Sequence, residues 1–197
     1  MSRTPLLVLL ALAIGAAPAQ AQTVQLAPFA GFQFGGSFVT PSGAGFSLQD
    51  SLDYGAGLDF ALSPSWRVGV LYSRQDSELQ GPGPSFDLNV ERLMATLVEE
   101  RGEGTDARFF GELLVGVTRF VPGLGGYDTD SRFTLGVALG LKRFFSEHVG
   151  VRGQVRGLYT FTEVDGGVFC VNGQCLFLFS GSGLWQGELS AGVVIGF

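Results

Sequence analysis

The two cysteines of this chain, Cys170 and Cys175, are the residues whose chemistry follows most directly from their spacing. They stand in the segment 170-CVNGQC-175, in which Asn172-Gly173 is a typical turn dipeptide. A metal site would require further cysteine or histidine ligands nearby, and the single histidine of the chain is His148. Two neighbouring cysteines in a loop outside the cytoplasm favour a disulfide, so we predict one between Cys170 and Cys175.

The run Ser146-Glu147-His148 is the second group with chemical potential. A lipid-modifying hydrolase would need a serine, a histidine and an acid together at a membrane surface. No motif around Ser146 marks it as a nucleophile, and residues of these types commonly cap a solvated turn. We therefore predict no catalytic site and no enzyme.

Cofactor and metal sites are not indicated. Gly123 to Gly126 is rich in glycine, but it lacks the following helix and lysine of a phosphate-binding loop. Asp128 and Asp130 supply two carboxylates, which are too few for a calcium site. The net charge of −6 and the absence of a basic stripe argue against a nucleic-acid partner.

Eight charged residues share one face of the strands predicted below, and four of them are acidic and four basic. They are Asp53, Asp59, Arg67, Glu112, Lys142, Arg152, Arg156 and Glu188. Unpaired charges are costly in a protein interior, so we expect Arg152 or Arg156 to pair with Glu188, and Lys142 with Glu112. This set fits either a selective polar pore or a salt-bridged plug. We favour the plug because eight strands enclose little more than side chains.

The elements that position these residues are strands, because residue types alternate with a period of two from Val24 to Phe197. We predict eight strands, at residues 24–38, 48–62, 66–77, 86–99, 108–120, 132–144, 149–162 and 183–197. The fourth is less regular around Glu91-Arg92, which leaves its register open to a bulge. The connections alternate between short polar turns and longer loops rich in Gly and Pro, an asymmetry typical of outer-membrane barrels.

The N-terminus predicts export from the cytoplasm. Arg3 provides a positive charge, residues 6–17 an apolar stretch, and Ala19-Gln20-Ala21 a cleavage site, so we predict a signal peptide at residues 1–21. The alternative is an N-terminal membrane anchor, for which the apolar stretch is short. Residues 22–197 then form one β-barrel domain.

Composition favours a membrane barrel over a soluble one. Apolar residues make up 46% of the chain and charged residues 15%, well below the roughly 25% of soluble domains. The polar face of the strands is rich in glycine, which suits a narrow interior better than a solvated surface. Aromatic residues gather near strand ends, as in the girdles that flank the apolar band of a membrane barrel. A soluble secreted β-barrel is the alternative.

Two segments carry a resemblance to a known family. The last strand, Ser190-Ala191-Gly192-Val193-Val194-Ile195-Gly196-Phe197, resembles the C-terminal assembly signal of outer-membrane barrels, with Ser190, Gly192, Ile195 and Phe197 at its pattern positions. The segment 28–36 resembles the first strand of the small outer membrane protein β-barrel domain family, which includes OmpA-, OmpX- and OmpW-like barrels. The resemblance implies an outer-membrane location, contact with outer-membrane lipid and recognition by the barrel-assembly machinery.

The sequence thus predicts an all-β protein, an eight-stranded antiparallel transmembrane barrel with an up-and-down meander. The favoured function is a non-enzymatic scaffold with a filled lumen, whose external loops serve envelope integrity, adhesion or host interaction. The second function is a narrow channel for small or apolar solutes, which OmpW-like relatives suggest, and the third is an outer-membrane lipid hydrolase. The sequence names no ligand and leaves the oligomeric state open.

Overall fold

The computed structural model describes residues 23–39, 45–80, 85–102, 106–122, 129–161, 165–171, 174–180 and 183–197. These residues contain no helix that is long and apolar enough to cross a membrane. Their strands, in chain order, are β1 Val24–Gly35, β2 Ser37–Val39, β3 Gly45–Leu48, β4 Ser51–Ala61, β5 Trp66–Gln80, β6 Phe86–Arg101, β7 Ala107–Pro122, β8 Asp130–Phe144, β9 Val149–Phe161, β10 Asp165–Val171, β11 Gln174–Ser180 and β12 Gly183–Gly196.

Eight long strands of the described chain close into one antiparallel barrel. Each pairs with its neighbour in the order β1, β4, β5, β6, β7, β8, β9 and β12, and β12 pairs back with β1. Closure leaves none of these strands with a free edge. The predicted architecture, an up-and-down antiparallel barrel, is confirmed.

The strands are strongly tilted, as their register shows. Paired residues followed once around the barrel from Gln25 lead back to Gly35, which lies ten residues further along β1. Such a stagger requires strands inclined by about 35–45° to the barrel axis. A barrel of this size has room for side chains inside it and little else.

Three features differ from the sequence prediction or complete it. The first predicted strand, 24–38, ends at Gly35, and the short strands β2 and β3 follow it, pairing with each other and, through β3, with β5. The segment between the seventh and eighth predicted strands, expected to be a loop, contains the hairpin β10–β11, a separate two-stranded sheet in the described structure. The register that the sequence left open at Glu91-Arg92 is continuous, because β6 pairs without interruption with both β5 and β7. Residues 86–99 therefore form a regular strand.

The barrel is polar inside and apolar outside. On β8 the side chain of Leu139 is 67% exposed while that of Lys142, three residues on, is 1% exposed. On β12 Trp185 is 65% exposed and Glu188 is 1% exposed. An apolar outer surface in contact with water would be very unfavourable, so this arrangement requires a lipid surrounding.

Aromatic and charged residues mark the limits of the apolar band. Eight exposed aromatic residues lie near strand ends, at Phe60, Trp66, Phe109, Phe145 and Phe197 on one side and at Phe34, Phe133 and Trp185 on the other, whereas Phe32, Tyr54 and Tyr72 are exposed further along their strands. Beyond the band, Glu91 on the outer face of β6 lies 3.7 Å from Arg74 on β5 and 3.9 Å from Arg119 on β7. These charges belong outside the hydrocarbon layer.

The two barrel ends differ in their connections. The β4–β5 and β8–β9 turns are short and each is closed by a serine hydroxyl: Ser63 Oγ accepts from the backbone N–H of Trp66 at 3.1 Å, and Ser146 Oγ from that of Val149 at 3.1 Å. We call this the short-turn end and the opposite one, which carries β10–β11, the long-loop end. In outer-membrane barrels the short turns face the periplasm.

Candidate functional site

The interior near the short-turn end is organised around one carboxylate, Glu100. Lys142 Nζ donates to Glu100 Oε1 at 2.5 Å and to Gln25 Oε1 at 2.9 Å. Arg67 Nε lies 3.2 Å from the same carboxylate, and Arg108 Nη1 lies 3.6 Å from its other oxygen. Glu100 and Lys142 are both buried, and the cluster joins side chains from five strands, β1, β5, β6, β7 and β8.

A second ion pair lies beside it. Arg152 Nη2 is 3.4 Å from Glu112 Oε2 and also donates to Gln154 Oε1. The buried ring of Phe110 receives two cations, the Arg152 guanidinium at 4.7 Å and Lys142 Nζ at 5.3 Å from its centroid. Cation–π contacts of this kind are stronger when desolvated, so the aromatic ring stabilises the charges that surround it.

An apolar layer crosses the middle of the barrel. It is a single cluster of buried side chains from six strands: Phe29, Leu71, Met94, Leu114, Ala138 and Leu158. Each of them is at most 7% exposed. The Arg156 guanidinium borders this layer, 5.2 Å from the ring centroid of Phe29, and the apolar side chains of the layer themselves offer no hydrogen bonds to a passing ion or water molecule.

On the long-loop side of this layer lies a second polar network. Arg92 donates to Gln33 Oε1 at 3.0 Å and to Gln186 Oε1 at 2.6 Å, and Arg156 Nη1 donates to Glu188 Oε2 at 2.7 Å. Asp53 is 1% exposed, and neither of its carboxylate oxygens has a hydrogen-bond partner among the described residues. The carboxylate of Glu188 and the guanidinium groups of Arg156 and Arg92 are all close enough to Asp53 to interact with its charge.

A further set of side chains fills the interior of the described barrel toward the long-loop end. Thr134 Oγ1 lies 2.6 Å from Thr118 Oγ1 and 3.0 Å from Thr160 Oγ1, so the three hydroxyls hydrogen-bond across adjacent strands. A second apolar cluster consists of Leu48, Leu88, Val90 and Leu184. The described interior therefore alternates polar and apolar layers from one end to the other.

The structure places all eight sequence-predicted charges inside the barrel, each at most 4% exposed. The expected pairing of Arg156 with Glu188 is present. The expected pairing of Lys142 with Glu112 was wrong: Lys142 contacts Glu100, and Glu112 contacts Arg152. The reason is that the ammonium group of Lys142 reaches across the lumen to β6, whereas the prediction considered only neighbouring strands.

Sequence reasoning missed two buried charged residues of the interior network, Arg92 and Glu100, which are 1% and 3% exposed. Both lie on β6, whose inward positions include the apolar residues Val90, Met94 and Val98. An apolar inward face obscured the polar-in pattern that identified the other strands. Every second residue of β6 from Val90 onward faces inward, and both Arg92 and Glu100 fall at these positions. Extending the alternation from Val90 along the strand would therefore have predicted both residues inside.

The backbone brings the two cysteines together. Cys170 and Cys175 are directly opposite each other in the β10–β11 ladder. Opposed residues of an antiparallel pair have Cα atoms about 4.5–5.5 Å apart, which is within the range that a disulfide spans. This register supports the disulfide, which stays a prediction.

We expect the purified protein to contain no reactive thiol. Iodoacetamide under denaturing, non-reducing conditions should add no mass, whereas reduction beforehand should allow two carbamidomethyl groups to attach, at Cys170 and Cys175. A Cys170→Ser variant provides the control, since its remaining Cys175 should be alkylated without reduction. Alkylation of the unreduced wild-type protein would contradict the disulfide.

The other candidate residues have structural partners or lie outside the described residues. Ser146 Oγ accepts from the backbone N–H groups of His148 and Val149, which is the turn-capping role. Asp130 accepts from Arg132 Nε at 2.7 Å. Asp128, the glycine-rich run 123–126 and the predicted signal peptide at 1–21 lie outside the described residues. Among the residues described there is no group of three or more possible metal ligands.

The four residues of the predicted assembly signal lie at the end of the barrel-closing strand. Ser190 is buried in the interior, and Gly192 pairs with both Arg152 on β9 and Phe29 on β1. Ile195 pairs with Val149 and with Leu26, and Phe197 is half-exposed on the outer surface.

Comparisons with known proteins agree with this geometry. The family model described as outer membrane protein beta-barrel domain matches residues 7–197. Neisserial surface protein A has a similar structure, with a TM-score of 0.64 at 17% identity over 89% of this chain and 97% of that one. OprG from Pseudomonas aeruginosa gives a TM-score of 0.58 at 12% identity over 89% of this chain and 97% of that one. The N-terminal barrel of OprF from the same organism gives a TM-score of 0.54 at 13% identity over 89% of this chain and 100% of that one. A comparison with curated proteins finds no match.

Proposed function

Because this chain belongs to the outer membrane protein beta-barrel domain family, we propose that it is a closed, non-enzymatic anchor in the outer membrane that displays external strands. In this proposal the barrel conducts no solute. Its role lies outside the membrane, in envelope integrity, adhesion or host interaction. Outer-membrane lipid is its surrounding, and the N-terminal 21 residues and the Ser190–Phe197 strand serve export and recognition by the barrel-assembly machinery.

The observation that carries the proposal is the apolar layer across the lumen. The layer of Phe29, Leu71, Met94, Leu114, Ala138 and Leu158 is buried and lies between two ion-pair networks. An ion crossing at this level would have to displace these buried side chains, and an apolar side chain offers it no hydrogen bond in place of its hydration. The interior therefore supports a plug better than a pore.

The displayed element is the β10–β11 hairpin. Its strands pair over seven residue pairs, from Asp165 opposite Ser180 to Val171 opposite Gln174. Apart from Asp165, residues 165–180 contain no charged residue and no proline, and three of them are phenylalanine. A hairpin with so little charge, and with its two cysteines opposite each other, is suited to contact with another surface.

Planar bilayers test the closed lumen. We expect the reconstituted wild-type protein to produce no stable single-channel steps, with insertion verified by heat-modifiable migration of protein from the same vesicles. Steps that change in conductance when Arg152 or Glu188 is replaced by glutamine would contradict the plug, because those side chains would then line a continuous path. That result would favour the narrow channel instead.

A further inference from the structure

A long groove on the outer surface of the barrel is not explained by closure of the lumen. It has a volume of about 1010 Å³ and its outward-facing walls are apolar. It extends across β8, β9, β12 and β1, with Phe109 at one end and Leu52 at the other.

The floor of the groove is made by small residues that are paired in register. Gly153 on β9 is opposite Ala191 on β12, and Ala191 is opposite Ala30 on β1. The next outward-facing row towards the long-loop end carries Val155, Leu189 and Phe32, which are paired with one another in the same way. On the other side lie Val151 and Val193. The groove thus exists because one row lacks the side chains that its neighbours have.

The groove lies within the apolar band and crosses it obliquely, because it follows a row of paired residues on tilted strands. Its floor row continues at one side through Leu141 to Phe109, in the aromatic girdle of the short-turn end, and at the other to Tyr54 on β4. Adjacent strands lie about 4.8 Å apart, so the three floor residues with their flanking strands extend over roughly 15–20 Å. This part of the surface lies in the bilayer core, so a molecule bound there must itself be apolar.

Its width restricts the occupant further. The two walls are rows four residues apart on the same strands, so their backbones are separated by about 13 Å, and the wall side chains themselves occupy part of that width. An α-helix with its side chains is about 10–12 Å across, which leaves no room for the side chains of the walls. A single alkyl chain does.

We propose that this groove is a binding site for one hydrocarbon chain of a membrane lipid. Its apolar walls give it no means to recognise a headgroup, so binding depends on the chain and on the shape of the groove. A chain held there contacts the floor and both walls, whereas a chain on a convex surface contacts protein on one side only, and the additional close contacts stabilise it.

Two glycines on one strand give a matched pair of variants. Gly153 and Gly157 both face outward on β9, and a Cβ atom at either position would meet no other heavy atom within 4 Å. Gly153 forms the floor of the groove, whereas Gly157 lies outside it. Gly153→Leu therefore fills the groove, and Gly157→Leu adds the same side chain one row beyond its wall.

The experiment is native mass spectrometry of delipidated protein in detergent, titrated with palmitoyl-oleoyl phosphatidylethanolamine and, separately, with the phosphatidylglycerol of the same chains. We expect one tightly retained lipid in the wild type and in Gly157→Leu, with either headgroup, and at least tenfold weaker retention in Gly153→Leu. Ala191→Leu, which fills the same floor from β12, should reproduce that loss. Heat-modifiable migration verifies that each variant is folded before titration.

Equal lipid retention by all four proteins would overturn the proposal, as would an equal loss in Gly157→Leu. Retention that differs strongly between the two headgroups would also contradict it, because the groove would then not be the determinant. If the wild type forms dimers that only Gly153→Leu and Ala191→Leu abolish, the groove is an interface with a second copy and the lipid assignment is wrong.

Discussion

Replacing Glu100 by glutamine is expected to lower the free energy of unfolding of the barrel by about 3–5 kcal/mol. Glu100 is the shared partner of Lys142, Arg67 and Arg108, and it is 3% exposed. Glutamine keeps the size of the side chain and an acceptor oxygen but removes its negative charge. Three cations then remain close together with weaker compensation, in an interior that solvates them poorly.

Glu99 provides the matched control, since it is the next residue on the same strand and faces outward. Its carboxylate lies 2.9 Å from Arg101, but the two side chains are 38% and 80% exposed. Exposed pairs contribute less than about 1 kcal/mol, so Glu99→Gln should leave stability nearly unchanged. Urea unfolding in phospholipid vesicles, followed by the emission of the outward-facing Trp66 and Trp185, measures both variants. Similar losses for Glu99→Gln and Glu100→Gln would contradict the assigned role of Glu100.

The strands and their faces could be predicted from the sequence because a narrow membrane barrel constrains both sides of the wall. The outside must be apolar to face lipid, and the inside must be small or charge-paired to fit the lumen. On β9 and β12 these demands produce a strict alternation, from which Arg152, Arg156 and Glu188 were placed inside. On β6 the inward face includes apolar residues that build the lumen layers, so Arg92 and Glu100 gave no clear pattern.

Contacts across the lumen could not be predicted from alternation. The pairing of Arg156 with Glu188 joins adjacent strands and follows from local register. The contacts of Lys142 with Gln25 and of Arg92 with Gln33 join residues on strands that are not neighbours, and they depend on the stagger of the closed barrel. That stagger is a property of the whole circuit of eight pairings, and no single segment of sequence encodes it.

The hairpin β10–β11 was missed for a different reason. Its strands carry apolar residues at consecutive positions, as in Val168-Phe169-Cys170-Val171 and Leu176-Phe177-Leu178-Phe179, rather than an alternation of types. The turn signal at Asn172-Gly173 and the cysteine spacing were recognised, and both are features of a hairpin. Period-two alternation detects a strand with one apolar and one polar face, and a hairpin without that contrast escapes it.

Adding one methyl group to an interior glycine is expected to be almost as damaging as removing a charge. A Cβ atom at Gly116 on β7 would collide with the backbone carbonyl of Leu93 and would lie 2.7 Å from Met94 Cα on β6. Backbone atoms cannot rotate away as a side-chain tip can, and β6 is held from its other side by β5. We expect Gly116→Ala to lower the free energy of unfolding by about 3 kcal/mol.

Gly157→Ala is the control for this effect, because it makes the same chemical change in a barrel strand where no heavy atom lies within 4 Å of the new Cβ. Its stability should stay within about 0.5 kcal/mol of the wild type in the same vesicle unfolding measurement. The difference in stability between the two variants separates the effect of close packing between β6 and β7 from the general effect of replacing a glycine in a strand. If Gly116→Ala were as stable as Gly157→Ala, the close approach of β6 and β7 would not be needed for stability. The interior would then be packed less tightly than the buried apolar layer implies.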